Sequence, residues 1–403
     1  MANPFFDQPI LNTPYEMPSR YWELDRDGQP TQKIISGRRI ADFITPIPKP
    51  RKSKKGKESE SESAIQTRMD VFGLAALSED GQDYDATSRI GQVRNAVDNW
   101  RKLPPSQWQV TPETARLLQY WRTHSFSSIR PFFCQIEAVE TAIWLTEVAP
   151  QNLIGRRLSK YIRDANAVAN PELLRVALKL ATGTGKTTVM AMIIAWQTIN
   201  AVRHPQSDKF TKGFLVVTPG ITIKDRLRVL KPNDPDSYFK TRELVPQEFL
   251  PDIEKARVVI TNYHAFRPRE KVTISRGGRA LLKGQTGNDI QSQESDGEMV
   301  KRVMPDLMGV KNIMVLNDEA HHCYRERPPE EDDALLQGDE KDEAEQKNEA
   351  ARLWLNGLVA VDRKIRVRTV MDLSATPFFL KGSGWPEGTL FPWTMSDFSL
   401  MDA

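Results

Sequence analysis

The chain has 403 residues, of which 39% are hydrophobic and 27% charged, with a formal net charge of only +3. That length accommodates two or three domains, and the composition is that of a soluble globular protein, not a disordered one. With so small a net charge, affinity for nucleic acid has to come from a local basic face and cannot be read from the total.

Two cysteines, Cys134 and Cys323, stand far apart without C-x-x-C spacing, which gives no disulfide framework and suits a reducing cytoplasm. No uninterrupted apolar run reaches membrane-spanning length. The start, Met1 to Asp7, lacks the basic-then-apolar order of a leader, so the expectation is a cytoplasmic protein with no membrane partner.

In chain order, residues 1–48 form an N-terminal extension rich in proline and aromatics, with Tyr21-Trp22-Glu23-Leu24 suited to anchoring it on a neighbouring surface. Residues 49–63 run from a basic block, Lys49 to Lys57, straight into Glu58-Ser59-Glu60-Ser61-Glu62-Ser63. With nothing to bury, they read as a charged flexible linker. Residues 64–127 predict a small helical subdomain. Ile90, Val93, Ala96, Val97 and Trp100 recur at three and four, and Thr111-Pro112-Glu113 starts a further helix with a cap residue and a proline behind it.

Residues 128–380 alternate strand-like and helix-like runs, which predicts an α/β domain with a mainly parallel sheet. The expected strands are 174–180, 214–218, 258–261, 313–317 and 367–373. Two polar insertions are expected near 267–297, containing the Gly284–Asp289 stretch, and near 328–350, which is acidic and passes into the helix-like Ala350 to Leu355.

The first chemical motif follows the 174–180 run: Ala181-Thr182-Gly183-Thr184-Gly185-Lys186-Thr187-Thr188, with an apolar helix-length stretch behind it. A strand, a glycine turn and a helix form the context of a phosphate-binding loop. Gly183 and Gly185 let backbone amides approach phosphate oxygens, Lys186 reaches the β and γ phosphates, and the Thr187 hydroxyl holds Mg²⁺. The leading glycine usual in such loops is replaced by Leu180.

The second motif, Asn317-Asp318-Glu319-Ala320-His321, ends the apolar run at 313. Hydrolysis of a nucleoside triphosphate needs one carboxylate near Mg²⁺, for which Asp318 is suited, and an acceptor for the attacking water, for which Glu319 is suited. His321, His322 and Cys323 do not make a zinc site, because no second ligand pair stands at suitable spacing. His321 reads instead as a coupling residue.

Together, the Ala181–Thr187 loop, Asp318-Glu319-Ala320-His321 and Ser374-Ala375-Thr376 resemble motifs I, II and III of DEAH-type superfamily 2 helicases. Thr218 to Leu227, Thr261-Asn262-Tyr263-His264 and the doubled histidine with Cys323-Tyr324 resemble the Res subunits of type III restriction enzymes in particular. The likeness covers about 128–380, and the opening Asn3–Leu24 is also similar to some members. It implies a RecA-like P-loop domain that uses ATP and Mg²⁺ and acts on DNA, with Thr182 to Thr188 as the nucleotide-binding residues and with Lys186, Asp318, Glu319 and His321 as the catalytic set. It also implies that Gln135, behind Phe132 and Phe133, reads adenine, where a polar helix-start residue is the competing reading. Thr218, Pro219, Gly220, Thr261 and Asn262 would line a nucleic-acid track, with Ser374 and Thr376 coupling it to the nucleotide. A modification methyltransferase subunit is the implied partner.

Residues 381–403 read as the start of a connection to a second helicase lobe, supplied in cis or in trans and expected to lie outside this chain. The family's nuclease signature is also expected to be absent. Pro305-Asp306 with Glu345 and Lys347 matches it as letters only, since a nuclease needs its Glu-x-Lys on a buried strand. The expectation is therefore the motor portion of a type III-like restriction endonuclease, an ATPase and DNA translocase or helicase only weakly active alone. The alternatives are an RNA helicase lobe and a nucleotide-dependent binding module without ATPase activity.

Overall fold

The computed structural model describes residues 4–25, 30–41, 86–270, 293–328 and 338–403; the expected linker 49–63, residues 64–85 and the Gly284–Asp289 stretch lie outside the described residues. Near its start the chain forms an antiparallel ribbon, β1 (Arg20–Leu24) with β2 (Pro30–Ser36). Trp22, in the stretch read as an anchor, is buried.

Each of the five expected strands forms, within one or two residues of the apolar run: β3 (Arg175–Leu180), β4 (Gly213–Thr218), β5 (Arg257–Asn262), β6 (Ile313–Asp318) and β7 (Val367–Ser374). A sixth, β8 (Thr394–Phe398), was not expected; it lies in the stretch read as a connection to a second lobe. The strands assemble in the order β5-β4-β6-β7-β3-β8 with every pairing parallel, a RecA-like α/β arrangement.

A parallel sheet is covered on both faces, so its strands are apolar on both sides. Alternation along β4 shows this: Phe214 and Val216 enter one core, and Leu215 and Val217 enter the other. The first core takes helices Ala86–Arg101, Pro112–Thr123, Phe133–Ile143 and Lys186–Arg203. The second takes Asp296–Val303 and Asp339–Ile365. Val93, Trp100, Leu117 and Trp121, from the region read as a helical subdomain, thus share the core of the 186–203 helix. Thr111 caps its helix as its sequence context predicts, its side chain accepting from the Thr114 amide at 3.1 Å with Pro112 at the first position.

Because all six strands run the same way, their carboxyl ends form one edge. On it Thr218 pairs in register with Asn262, and Lys179 with Ser374. β7 lies between the loop strand β3 and the carboxylate strand β6, so Ser374 ends between the two motifs. This is the edge where ligands bind in open α/β sheets.

Candidate functional site

The turn after β3 is left-handed at Gly183 (φ +85°) and Gly185 (φ +79°), conformations that side chains resist. Gly185 is further constrained, since a Cβ there would sit 2.5 Å from Gln135 Nε2. Gly185 caps the Lys186–Arg203 helix, its carbonyl accepting from the Thr188 amide at 2.8 Å, and the helix dipole favours an anion at this end. Thr184 closes the turn, its hydroxyl donating to the Ala181 carbonyl at 2.7 Å. Thr182 and Gly183 are exposed, Lys186 and Thr187 half-buried and Thr188 buried. Leu180, at the position where a leading glycine is usual, ends β3 fully buried in the core.

Lys186 Nζ lies 2.7 Å from Glu319 Oε1. The carboxylate stands where a phosphate oxygen would engage the same ammonium, so the loop and its cation fit a phosphate ligand. Glu319 itself is left-handed (φ +50°, ψ +50°), a conformation that costs a non-glycine residue about 1–3 kcal/mol and is concentrated at functional sites. Burial and then the neighbouring Glu319 push the Asp318 carboxyl up to about 6. His321 Nδ1 meets Ser374 Oγ at 2.9 Å and Glu319 Oε2 at 3.5 Å, and Ser374 Oγ also accepts from the Thr376 amide at 3.1 Å. Burial, with His322 and Lys186 nearby, pushes His321 down to about 3, so its imidazole is neutral at pH 7. One hydroxyl therefore joins β7 to the histidine beside the carboxylates.

The remaining expected residues are placed as follows. Gln135 is buried with one bond at each end of its amide: Oε1 accepts from the Phe132 amide at 3.0 Å at the helix start, and Nε2 donates to the Thr184 carbonyl at 2.7 Å. It braces the loop. The Phe133 ring lies beneath Arg38 and Arg101, and Phe132 meets the edge of Tyr15. Thr218 and Asn262 lie side by side, but their side chains make turn bonds, Thr218 Oγ1 to the Gly220 carbonyl at 2.9 Å and Asn262 Oδ1 from the Ala265 amide at 3.2 Å. Thr261 Oγ1 likewise reaches the Asn262 carbonyl at 3.3 Å. Lys347 pairs with Glu343 at 2.7 Å on the Asp339–Ile365 helix, which also carries Glu345, so the Glu-x-Lys letters are on a helix and not on a buried strand.

Sequence reasoning missed the polar girders under this edge. Asp372 accepts from Arg175 Nε (2.8 Å), Asn317 Nδ2 (2.9 Å) and Trp393 Nε1 (2.8 Å), all buried. Asn317 precedes Asp318, and Trp354 donates to its Oδ1 at 3.2 Å. The available signal was a charge inside an apolar strand, Arg175 in one run and Asp372 in another, since a buried charge requires a partner. Beneath the loop, Asp397 of β8 takes Lys179 at 2.6 Å and also Arg39, which bonds Asp402 at 2.9 Å. Among the described residues no helix is long and apolar enough to cross a membrane.

Comparison with known proteins gives one family model, described as type III restriction enzyme, res subunit, matching residues 128–379. No curated protein matches the chain. Among solved structures it is similar to "The crystal structure of T4 UvsW", at 11% identity and a TM-score of 0.32, over 84% of this chain and 54% of that one. The chain thus spans about half the length of that protein.

Proposed function

The chain belongs to the type III restriction enzyme Res subunit family, and from that premise we propose that it is the ATP-dependent motor portion of a type III-like restriction enzyme acting on DNA. The observation that supports this best is the Lys186–Glu319 contact at 2.7 Å, which brings together a glycine-flanked cation and a strained carboxylate from two motifs far apart in sequence. In this reading Thr182 to Thr188 hold the phosphates, and Lys186 leaves Glu319 for a phosphate oxygen. Freed of the lysine, Glu319 orients the attacking water and accepts its proton. Thr187 and Asp318 would be the oxygen donors for Mg²⁺, whose charge would offset that of the phosphates. Neutral His321, held by Ser374, ties this chemistry to the β7 end and, through Thr376, to a nucleic-acid track along Thr218 to Gly220 and Thr261-Asn262. Gln135 holds the loop and stands ready to meet the base.

The reading also assigns partners. A second lobe, in cis or in trans, supplies an arginine worth about 10³–10⁵ in rate, and a modification methyltransferase subunit supplies sequence recognition. Lys186→Ala is expected to abolish ATP binding in a direct titration, and undiminished affinity would overturn the assignment. ATPase stimulation is expected to be greater with DNA than with RNA of the same length; an RNA preference would retire the restriction reading. ATP binding without turnover on any nucleic acid would leave a nucleotide-dependent binding module.

A further inference from the structure

We propose that Arg242 is a nucleotide-contacting residue, pairing with the phosphate nearest the nucleoside. The inference rests on the nucleotide reading of the Gly183–Thr188 loop and adds to it a residue from outside every motif identified above.

Arg242 follows the short helix Tyr238–Thr241, between β4 and β5. Its guanidinium lies over the Tyr238 ring at 3.9 Å, and its NH1 donates to Thr188 Oγ1 at 3.2 Å. The cation is therefore held at the first turn of the loop helix. Several arginines in this half of the molecule come with an acid, Arg38 with Glu137, Arg101 and Arg122 with Glu140, and Arg175 with Asp372, while Arg94 and Arg130 donate to backbone carbonyls. Among the described residues no carboxylate pairs with Arg242, which is only half-buried and keeps further N–H donors. A positioned guanidinium without an acid, at the end of a helix whose dipole itself favours an anion, is an anion site with two independent contributors.

The position along the ligand follows from the two sides of the loop. Lys186 points to Glu319, the side of the terminal phosphates. Thr188 Oγ1 and Gln135 Nε2 flank Gly185 together, at 3.6 and 2.5 Å from where its Cβ would stand, and Arg242 comes in through Thr188. The lysine thus marks one end of a polyphosphate and the arginine the other, the end that ATP, ADP and AMP share.

The test is binding of ATP, ADP, AMP and adenosine to the full chain by direct titration and by displacement of fluorescent ADP, with thermal melts for each variant. Arg242→Ala is expected to weaken ATP and ADP by the same factor, about 10- to 100-fold, the worth of a charge-assisted hydrogen bond. Arg242→Lys should recover part of the loss. AMP should displace ADP better than adenosine does from the unaltered chain, and that advantage should vanish in Arg242→Ala. Should the alanine variant melt early, Arg242→Gln, which can still reach Thr188, takes its place. ADP binding unchanged in Arg242→Ala, a loss confined to ATP, or an undiminished advantage of AMP overturns the inference while leaving the loop assignment standing. Failure of the unaltered chain to bind either ATP or ADP sinks the nucleotide reading and this inference with it.

Discussion

Two lysines seven residues apart, Lys179 and Lys186, each meet a carboxylate, and the contrast between the pairs separates structure from function. Lys179 and Asp397 lie 2.6 Å apart with side chains 8% and 0% exposed, and Arg39 adds a second cation. Burial alone would raise the Asp397 carboxyl, but Lys179 and Arg39 outweigh it and hold it well below the ordinary carboxylate range. Lys186 and Glu319 are as close, at 2.7 Å, yet 13% and 31% exposed, and Glu319 has a strained backbone. The first pair is locked because neither charge has water to return to. The second is partly open to solvent, and the proposed function makes it exchangeable, a phosphate replacing the carboxylate at little cost in desolvation.

Four substitutions, ranked by their expected effect on folding stability, can break or sharpen that contrast. Asp397→Ala strands Lys179 and Arg39 without their acid and should cost about 3–5 kcal/mol in urea denaturation. A loss below about 1 kcal/mol would mean the pair is not a lock.

Asp318→Asn comes next and depends on pH. The folded carboxyl sits at about 6 against an ordinary 3.8, so its protonated form favours the fold. That contribution is complete below about pH 4 and is lost as pH rises through about 6. The variant should therefore match the parent at pH 4 and exceed it by about 1–3 kcal/mol at pH 8. Equal stability at both pH values would show that Asp318 is not burdened by burial and Glu319.

Ser374→Ala removes the hydroxyl shared by His321 and the Thr376 amide and should cost about 0.5–1.5 kcal/mol per lost bond. It should reduce the stimulation of ATPase by DNA more than it reduces ATP affinity; an unaltered stimulation would count against coupling through this hydroxyl. Lys186→Ala should disturb the fold least, by about 0–1 kcal/mol, while abolishing ATP binding. A large drop in its melting temperature would put Lys186 in the same structural class as Lys179.

What was legible in the sequence was local. Five strands showed as apolar runs because a parallel sheet buries both faces. The loop showed because a left-handed turn before a helix demands glycine, and Asp318-Glu319 showed as paired acids at a strand end. β8 was illegible for the same reason: Thr394-Met395-Ser396-Asp397-Phe398 is wholly buried yet only partly apolar, and the partners of its aspartate come from β3 and from Arg39. Gln135 shows the limit of a motif letter. Its position was legible; its bond to the Thr184 carbonyl was not.

By itself, then, the sequence determined the strand–loop–helix unit around Gly183–Thr187 and the carboxylates at 318 and 319, since each follows from backbone and side-chain chemistry within a few residues, whereas the hydroxyl at 374 was legible only through the family resemblance. Only the tertiary structure decided which distant charges meet: Lys186 with Glu319, His321 with Ser374, Arg175 with Asp372, and Arg242 with Thr188. The reason is strand order. A parallel sheet in which β7 separates β3 from β6 brings together the ends of segments far apart in the chain, and no local period encodes that juxtaposition.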